Sequence, residues 1–402
     1  MSSPTIIIEK GREKPILQQH PWIFSGAIGS INGNPQPGDI VTVNATDGRF
    51  LARGYWNPNS QIQVRILSWQ DVPIDESWWN AQLSRAIGVR AHHPNQSALR
   101  LINAENDFLP GLIVDRYGDW LVVQALTMGI EVRKKALAGM LADILKPAGI
   151  YERSDVDVRS REGLAHAEGV LFGEIPPPQI EIDEYGMRIL VDVHKGHKTG
   201  YYLDQSANRG VLRQLIETEA LSLPNDFRFI NLFSYTGSFG LHALAAGAGY
   251  ICNVDSYREA LQTGEDIIRL NNPDWIKRTD SVMADAFELL RDYARNQEQF
   301  DMLVLDPPKF AHNAGQVDKA ARGYKDLNLH AFKIVKPGGL MMTFSCSGAV
   351  SADLFQKIVF GALADSGRQA QVIRHLEQAP DHPVALTFPE GAYLKGLLLR
   401  VF

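Results

Sequence analysis

The sequence predicts an α/β protein whose C-terminal half is a doubly wound parallel sheet, preceded by an N-terminal β-barrel and a small α+β middle domain. Three observations carry this. Strand-like apolar runs alternate with helical stretches from about residue 200 onward; residues 1–72 read as short strands broken by Gly/Pro turns; and residues 73–195 mix both patterns. The expected domains are therefore 1–72, 73–195 and 196–402. A chain of 402 residues, 45% hydrophobic and 21% charged, is long enough for two or three domains at roughly 150 residues each. It is neither a disordered tail nor a disulfide scaffold.

In the first segment the strand candidates are 6–8, 40–43, 50–55 and 62–67, with the turn Asn34-Pro35-Gln36-Pro37-Gly38-Asp39 before the second. Five of the seven tryptophans (Trp22, Trp56, Trp69, Trp78, Trp79) lie in the first 80 residues, beside Lys10, Arg12, Lys14, Arg49, Arg53 and Arg65. Such aromatics either fill and cap a barrel, the simpler reading, or form stacking platforms for nucleic acid.

The middle segment offers a hairpin, 112–117 and 120–124, turning at Gly118-Asp119, then an amphipathic helix from about Glu131 to Leu145 ended by Pro147 and Gly149. Pro176-Pro177-Pro178 punctuates the chain before a second hairpin, 180–185 and 187–193, with Gly186 at its turn. Beyond residue 200 the candidate strands are 229–233, 250–254, 281–283, 301–305 and 340–344. The first three connections and the stretch from Asp318 to Val335 have helical length and pattern, which predicts right-handed βαβ units.

Composition excludes several classes. Cys252 and Cys346 lie far apart with no Cys-x-x-Cys or Cys/His spacing, so neither a disulfide framework nor a metal site is indicated, and a reducing, cytoplasmic setting is expected. The only apolar run at the start is Ile6 to Ile8, and no stretch approaches the roughly 18 apolar residues that span a bilayer. With 40 Lys and Arg against 46 Asp and Glu, the net charge of -6 means any nucleic-acid contact must come from a local basic patch.

Ligands of doubly wound sheets bind beyond the carboxyl ends of the strands. After the first strand, Ser234-Tyr235-Thr236-Gly237 opens a helix with a small turn where free N–H groups can face a ligand. It lacks G-x-G-x-x-G spacing, which counts against a nicotinamide-dependent oxidoreductase. Asp255 ends the second strand and suits a ribose diol, or caps the helix from Tyr257 to Leu270. Asp285 and Ala286 after the third strand offer acceptors to an adenine amino group. Asp306-Pro307-Pro308-Lys309-Phe310 ends the fourth: two prolines fix φ and leave carbonyls without intervening N–H donors. Cys346 ends the fifth, between two serines and before Gly348, where a thiol can be exposed and its thiolate stabilised; Cys252, inside a strand, reads as an inert small hydrophobe.

Together these segments, with His-Lys-Thr-Gly-Tyr-Tyr-Leu-Asp-Gln (197–205), closely resemble the S-adenosylmethionine-dependent large-subunit rRNA cytosine-C5 methyltransferases, over the whole chain. Lys10-Gly11-Arg12-Glu13-Lys14 with His20-Pro21-Trp22-Ile23-Phe24-Ser25-Gly26 resembles the start of that family's N-terminal PUA domain, an RNA-binding barrel, and 381–383 with 389–396 resemble its C-terminal segment. The resemblance implies a class I methyltransferase sheet, S-adenosyl-L-methionine as cofactor, and 23S rRNA or a large-subunit assembly intermediate as partner, with no membrane and no metal. A homodimer is compatible with it. Ser234, Tyr235, Thr236 and Gly237 would hold the methionine part of the cofactor, Asp255 its ribose, and Asp285 with Ala286 its adenine. Tyr202 would join them, and Asp306 would border methyl group and target base. Cys346 would be the nucleophile; Lys10, Arg12, Lys14 and Lys309 would meet RNA.

Two departures stand out. Asn231 begins the cofactor turn where the wider class has an acidic residue. Ser206 stands where the family continues with Arg, a contact that Arg209 could supply. The chemistry explains the cysteine: a thiolate adding to C6 of cytosine makes C5 nucleophilic toward a sulfonium methyl, after which the C5 proton leaves and the thiol is expelled. Pro308-Lys309 occupies the place of the second cysteine of some such enzymes, implying a single-cysteine mechanism, with Asp306 or water taking the proton. The base must leave its stack, so single-stranded or locally opened RNA is the expected form. The rivals are an amine methyltransferase using Asp-Pro-Pro-Lys-Phe, which would need no cysteine, and a non-catalytic RNA-binding assembly factor.

Overall fold

A computed structural model describes residues 4–93, 97–219 and 226–402. They form two units. The first comprises the described residues up to Asp183, with Val191–Leu203 and Asp381–Gly391; the second comprises Glu184–Leu190, the described residues from Asp204 to Pro380, and Ala392–Phe402.

The first unit opens with strands β1 (Thr5–Ile8), β2 (Trp22–Phe24), β3 (Ile28–Asn32), β4 (Ile40–Asn44), β5 (Phe50–Trp56) and β6 (Ile62–Ser68), with the short helix α1 (Lys14–Leu17) after β1. They pair in the order β2-β6-β5-β4-β1-β3, antiparallel except β1 with β4. Alternation puts Ile6, Ile8, Val41, Val43, Val64 and Ile66 on the inner face with Trp56, so that tryptophan fills the core. Trp69 donates its indole N–H to Ile16 O at 2.9 Å and Trp22 to Glu105 Oε1 at 2.8 Å. Arg65, one of the basic residues noted above, is no surface cation: it is buried and ion-paired to Glu105 at 2.6 Å and Glu162 at 2.9 Å.

Helix α2 (Glu76–Gly88) leads into a second sheet: β7 (Ala98–Asn103), β8 (Leu112–Tyr117), β9 (Trp120–Ala125), β10 (Gly149–Ser154) and β11 (Ala167–Gly173), ordered β11-β10-β9-β8-β7. The helix expected over 131–145 is two: α3 (Met128–Glu131) and α4 (Lys134–Leu145). The break has a cause. The Arg133 guanidinium donates to the Gly129 carbonyl at 2.8 Å, the acceptor that its own N–H would use in a continuous helix, and that N–H turns to Ile130 O at 3.0 Å instead. Leu83, Leu101, Val114, Leu137 and Leu141 bury the apolar faces of α2, α4 and this sheet together. Asp381–Gly391 returns from far along the chain: Asp381 Oδ2 accepts Arg100 N–H at 2.8 Å, and the Phe388 ring meets Trp22 edge-on at 4.8 Å.

After the hairpin strands β12 (Ile180–Glu184) and β13 (Met187–Val191) and helix α5 (Ser206–Glu219) comes the sheet of the second unit. Its strands and helices alternate: β14 (Arg228–Leu232), α6 (Ser238–Ala245), β15 (Tyr250–Asp255), α7 (Arg258–Asn271), β16 (Thr279–Met283), α8 (Ala286–Arg295), β17 (Phe300–Leu305), α9 (Val317–Ile334), β18 (Val335–Ser345) and α10 (Ala352–Ser366). Two further strands, β19 (Ala370–Glu377) and β20 (Lys395–Val401), complete the order β16-β15-β14-β17-β18-β20-β19. The five expected strands are parallel; β20, which sequence reading missed, inserts antiparallel between β18 and β19. Strand order reverses at β14, whose neighbours β15 and β17 are reached in opposite directions, so the crevice lies beyond the carboxyl ends of β14 and β17.

Candidate active site

Five segments meet at those strand ends. The first leaves β14 through three left-handed residues in alternation: Phe233 (φ 58°), Tyr235 (φ 50°) and Gly237 (φ 76°). Two of these are bulky, a strained geometry that persists only where neighbours enforce it. The enforcement is visible: Ser234 N–H donates to Val254 O at 2.9 Å, Gly237 N–H to Ser234 O at 2.8 Å, and Tyr235 N–H to Asp255 Oδ2 at 2.8 Å. At Gly237 a Cβ would lie 2.8 Å from Asn253 Nδ2. Gly237→Ala is expected to cost about 1–3 kcal/mol of stability, read as a lowered Tm, since it adds both strain and overlap. An unchanged Tm would show that the turn tolerates a side chain. Asn231, the departure from an acidic residue, is buried and donates to Asn253 Oδ1 at 3.1 Å, a strut between β14 and β15.

Asp255 ends β15 and holds two turns at once. Its Oδ2 takes Tyr235 N–H and its Oδ1 takes Tyr257 N–H at 3.0 Å. The N-cap position of α7, considered for Asp255, is taken by Tyr257. Asp285 caps its own helix, its Oδ1 accepting from Phe287 N–H at 2.8 Å and Glu288 N–H at 3.1 Å at the start of α8. Ala286 is buried in that first turn. Cys252, three residues before Asp255, is buried, and burial pushes its thiol up to about 11, as an inert interior cysteine requires.

After β17, Asp306 Oδ2 accepts the Gln205 side-chain amide at 2.9 Å, and Gln205 Oε1 in turn accepts from Asn208 Nδ2 at 2.6 Å. Gln205 and Asn208 are buried, so this relay fixes the carboxylate. Sequence reading missed both; the only signal was Gln205 inside the quoted 197–205 segment. The Asp-Pro-Pro-Lys-Phe loop is clamped by Ser347, whose Oγ accepts Phe310 N–H and Ala311 N–H, each at 3.1 Å, and lies 2.9 Å from the Tyr324 hydroxyl. Phe310 packs against Tyr324 at 4.7 Å and Phe287 at 6.1 Å. Cys346 is half-buried, its Sγ 3.9 Å from Pro307 O.

Ser234, Tyr235, Thr236, Gly237, Asp255, Asp285, Ala286, Asp306 and Cys346 thus share the strand ends of the second unit, with Lys309 exposed on the β17 loop. Tyr202 lies in the other unit, its hydroxyl 3.1 Å from His197 Nδ1 and its ring under the Lys198 ammonium at 4.4 Å. Lys10, Arg12 and Lys14 are exposed together on the first unit. Arg209 is not available as a surface substitute for the missing arginine after Gln205: it is buried and bidentate to Glu184, at 2.6 and 2.7 Å. Among the described residues no cluster of three His, Cys, Asp or Glu could hold a metal ion, and no helix is long and apolar enough to cross a membrane.

The strand order and the strand-end cluster define a class I methyltransferase fold. A model of S-adenosylmethionine-dependent methyltransferases matches residues 159–400, and one of PUA-like domains matches residues 6–69. Ribosomal RNA large subunit methyltransferase I of Tolumonas auensis is 45% identical over 403 residues, covering 99% of each chain. The protein of that name from Shewanella denitrificans is 46% identical over 402 residues, again 99% of each. Among solved structures, a Streptococcus mutans chain assigned as a SAM-dependent methyltransferase aligns with TM-score 0.81 at 19% identity, over 98% of this chain and 99% of that one. A methyltransferase complexed with SAH aligns with TM-score 0.82, also at 19% identity and over 98% and 99%. This chain belongs to the S-adenosylmethionine-dependent methyltransferases, and within them to the family of ribosomal RNA large subunit methyltransferase I.

Its cofactor is S-adenosylmethionine, and the residues fit one. Ser234 Oγ and Thr236 Oγ1 are buried in the β14 turn with no hydrogen-bond partner among the described residues, leaving two hydroxyls open to a polar ligand.

Proposed function

We propose that this chain methylates C5 of a cytosine in large-subunit (23S) rRNA, in the cytoplasm, through an adduct between Cys346 and C6 of the base. The observation that carries this is Cys346 itself: a half-exposed thiol at the end of β18, facing the Asp306-Pro307 turn across 3.9 Å, where N-methylation needs no thiol. The names of the full-length relatives support rRNA as the substrate class.

The Ser234–Gly237 turn would hold the methionine end of the cofactor, Asp255 its ribose, and Asp285 with Ala286 its adenine. The cofactor supplies an electrophilic methyl group. The Cys346 thiolate adds to C6, which loads electron density onto C5. That density would form the C5–CH3 bond as the methyl's bond to the cofactor sulfur breaks; Asp306, oriented by Gln205, then takes the C5 proton, and the C–S bond breaks to return the thiolate. Pro307 and Pro308 stiffen the wall that faces the base. Lys10, Arg12 and Lys14 on the PUA-like domain, with Lys309 beside the site, would contact phosphates. The packing of Phe310 against Tyr324 and Phe287 weighs against the amine-methyltransferase reading, in which that ring would stack on the acceptor base.

Wild type and Cys346→Ala, incubated with unmodified 23S rRNA and labelled S-adenosylmethionine, are expected to differ by at least about 10³-fold in 5-methylcytidine formed, because loss of the nucleophile removes the covalent route. An N-methylated nucleoside made equally by both would overturn the proposal in favour of amine methylation. RNA binding without any transfer would favour an assembly factor.

A further inference from the structure

Lys395 begins β20, paired in register with Ser345, the last residue of β18. Its ammonium ends on the far side of the following residue, donating to Ser347 O at 2.7 Å and Val350 O at 2.6 Å. The side chain therefore starts opposite residue 345 and finishes on the carbonyl of 347, alongside Cys346. It is half-buried, and among the described residues no carboxylate pairs with it. A partly desolvated ammonium met only by neutral carbonyls is unfavourable unless an anion is due beside it.

We propose that Lys395 is a positioning residue of the methyl-transfer reaction: it pins the Cys346 turn through two main-chain carbonyls and supplies the positive charge that keeps the Cys346 sulfur ionised. This rests on Cys346 being the nucleophile. The thiol proton leaves to solvent, and the sulfur retains the electron pair that attacks C6.

The groups named around the sulfur give such a cation work to do. From the β17 loop, the Pro307 carbonyl lies 3.9 Å from Sγ and the Asp306 carboxylate is on the same turn; both oppose a thiolate. From α9 comes the neutral Tyr324 hydroxyl, whose pKa burial raises. On these same elements stand two cations, Lys309 on the β17 loop and Lys395 on β20. Burial lowers the Lys395 ammonium to about 8, the Cys346 charge working the other way and Lys309 adding to the fall. Lysine and thiol therefore answer to each other electrostatically. Lys309 is exposed and screened by solvent, so Lys395 is the stronger influence.

Iodoacetamide alkylation of Cys346 against pH, resolved by peptide mass spectrometry, tests this without reference to turnover. Buried Cys252 serves as the folding control, because it reacts only if the chain opens. Lys395→Gln keeps donors for the two carbonyls but removes the charge; Lys395→Arg keeps the charge. The alkylation midpoint is expected to rise by about one pH unit or more in the glutamine variant, a roughly tenfold slower reaction at neutral pH, and to stay near wild type in the arginine variant. An unchanged midpoint in a folded Lys395→Gln overturns the proposal. So does a wild-type midpoint at or above the ordinary thiol value of about 8.5, which decides the matter even if the variant does not fold. If Cys346→Ala still forms 5-methylcytidine, the nucleophile reading fails while the alkylation result stands on its own.

Discussion

Asp255→Ala is expected to weaken S-adenosylhomocysteine binding by about 10²-fold, measured by titration calorimetry. Two effects combine. The carboxylate is the proposed acceptor for both ribose hydroxyls, and two charge-assisted hydrogen bonds lost from a partly desolvated site amount to about 3 kcal/mol after solvent competition. It also holds the cofactor turn, because Tyr235 N–H donates to Oδ2 and Tyr257 N–H to Oδ1. Without it, nothing at that position offsets the left-handed backbone at Tyr235, and the turn loses its preorganisation. Asp255→Asn separates the effects: one amide carbonyl cannot serve both N–H groups and the ligand as a carboxylate does, so an intermediate loss is expected. Binding within twofold of wild type in the alanine variant would mean that Asp255 is a strut for the turn and no more.

The parallel sheet was readable because β14, β15, β17 and β18 each carry a buried apolar run ending in a polar or Gly/Pro turn, and the proposed chemistry sits at those ends; β16, Thr279 to Met283, is polar and only partly buried. Phe229 to Leu232 followed by Ser234, and Leu303 to Leu305 followed by Asp306-Pro307, announce both strand and site. Other features left no local trace. β20 carries Gly396 to Leu399 as one apolar run, but nothing in it records that its partner is β18 or that the pairing is antiparallel. Lys395 was visible as a residue and silent as a participant, because its role depends on register with Ser345. The same holds for Gln205 and Asn208, whose relay to Asp306 spans about a hundred residues, and for Asp381, which returns to Arg100. Which acidic residue caps its helix was also out of reach: Asp255 and Asp285 each precede one, but only backbone geometry makes Asp285 the cap of α8 while Tyr257 takes that position in α7 and Asp255 braces the Tyr235 and Tyr257 N–H groups. The split helix at Val132 is a case of a side chain, Arg133, outcompeting the main chain for one carbonyl, which periodicity does not report.

The largest stability effect is expected at Glu184, which is wholly buried under the same unit. Its Oε1 and Oε2 take the Arg209 guanidinium at 2.6 and 2.7 Å, and His242 Nε2 lies 3.1 Å from Oε1. Glu184→Ala would strand a buried guanidinium, and leaving one partner of such a pair costs about 3–5 kcal/mol. Hydrogen exchange of peptides covering 206–219 and 238–245 should report the loss as protection lower by about 10²–10³-fold. A pH dependence accompanies it. Burial alone would raise the Glu184 carboxyl, but Arg209, and then His242, outweigh it and bring the pKa from 4.5 down to about 2. A carboxylate whose folded value is depressed adds stability above its unfolded pKa and loses it as pH falls, so the contribution, about 3 kcal/mol, should fade between pH 4.5 and about 2. Glu184→Gln keeps the shape and removes the titration: its stability should be lower at neutral pH and flatter across that acid window. If the wild-type curve is equally flat there, the ion pair contributes nothing net, and Arg209 is held by packing alone.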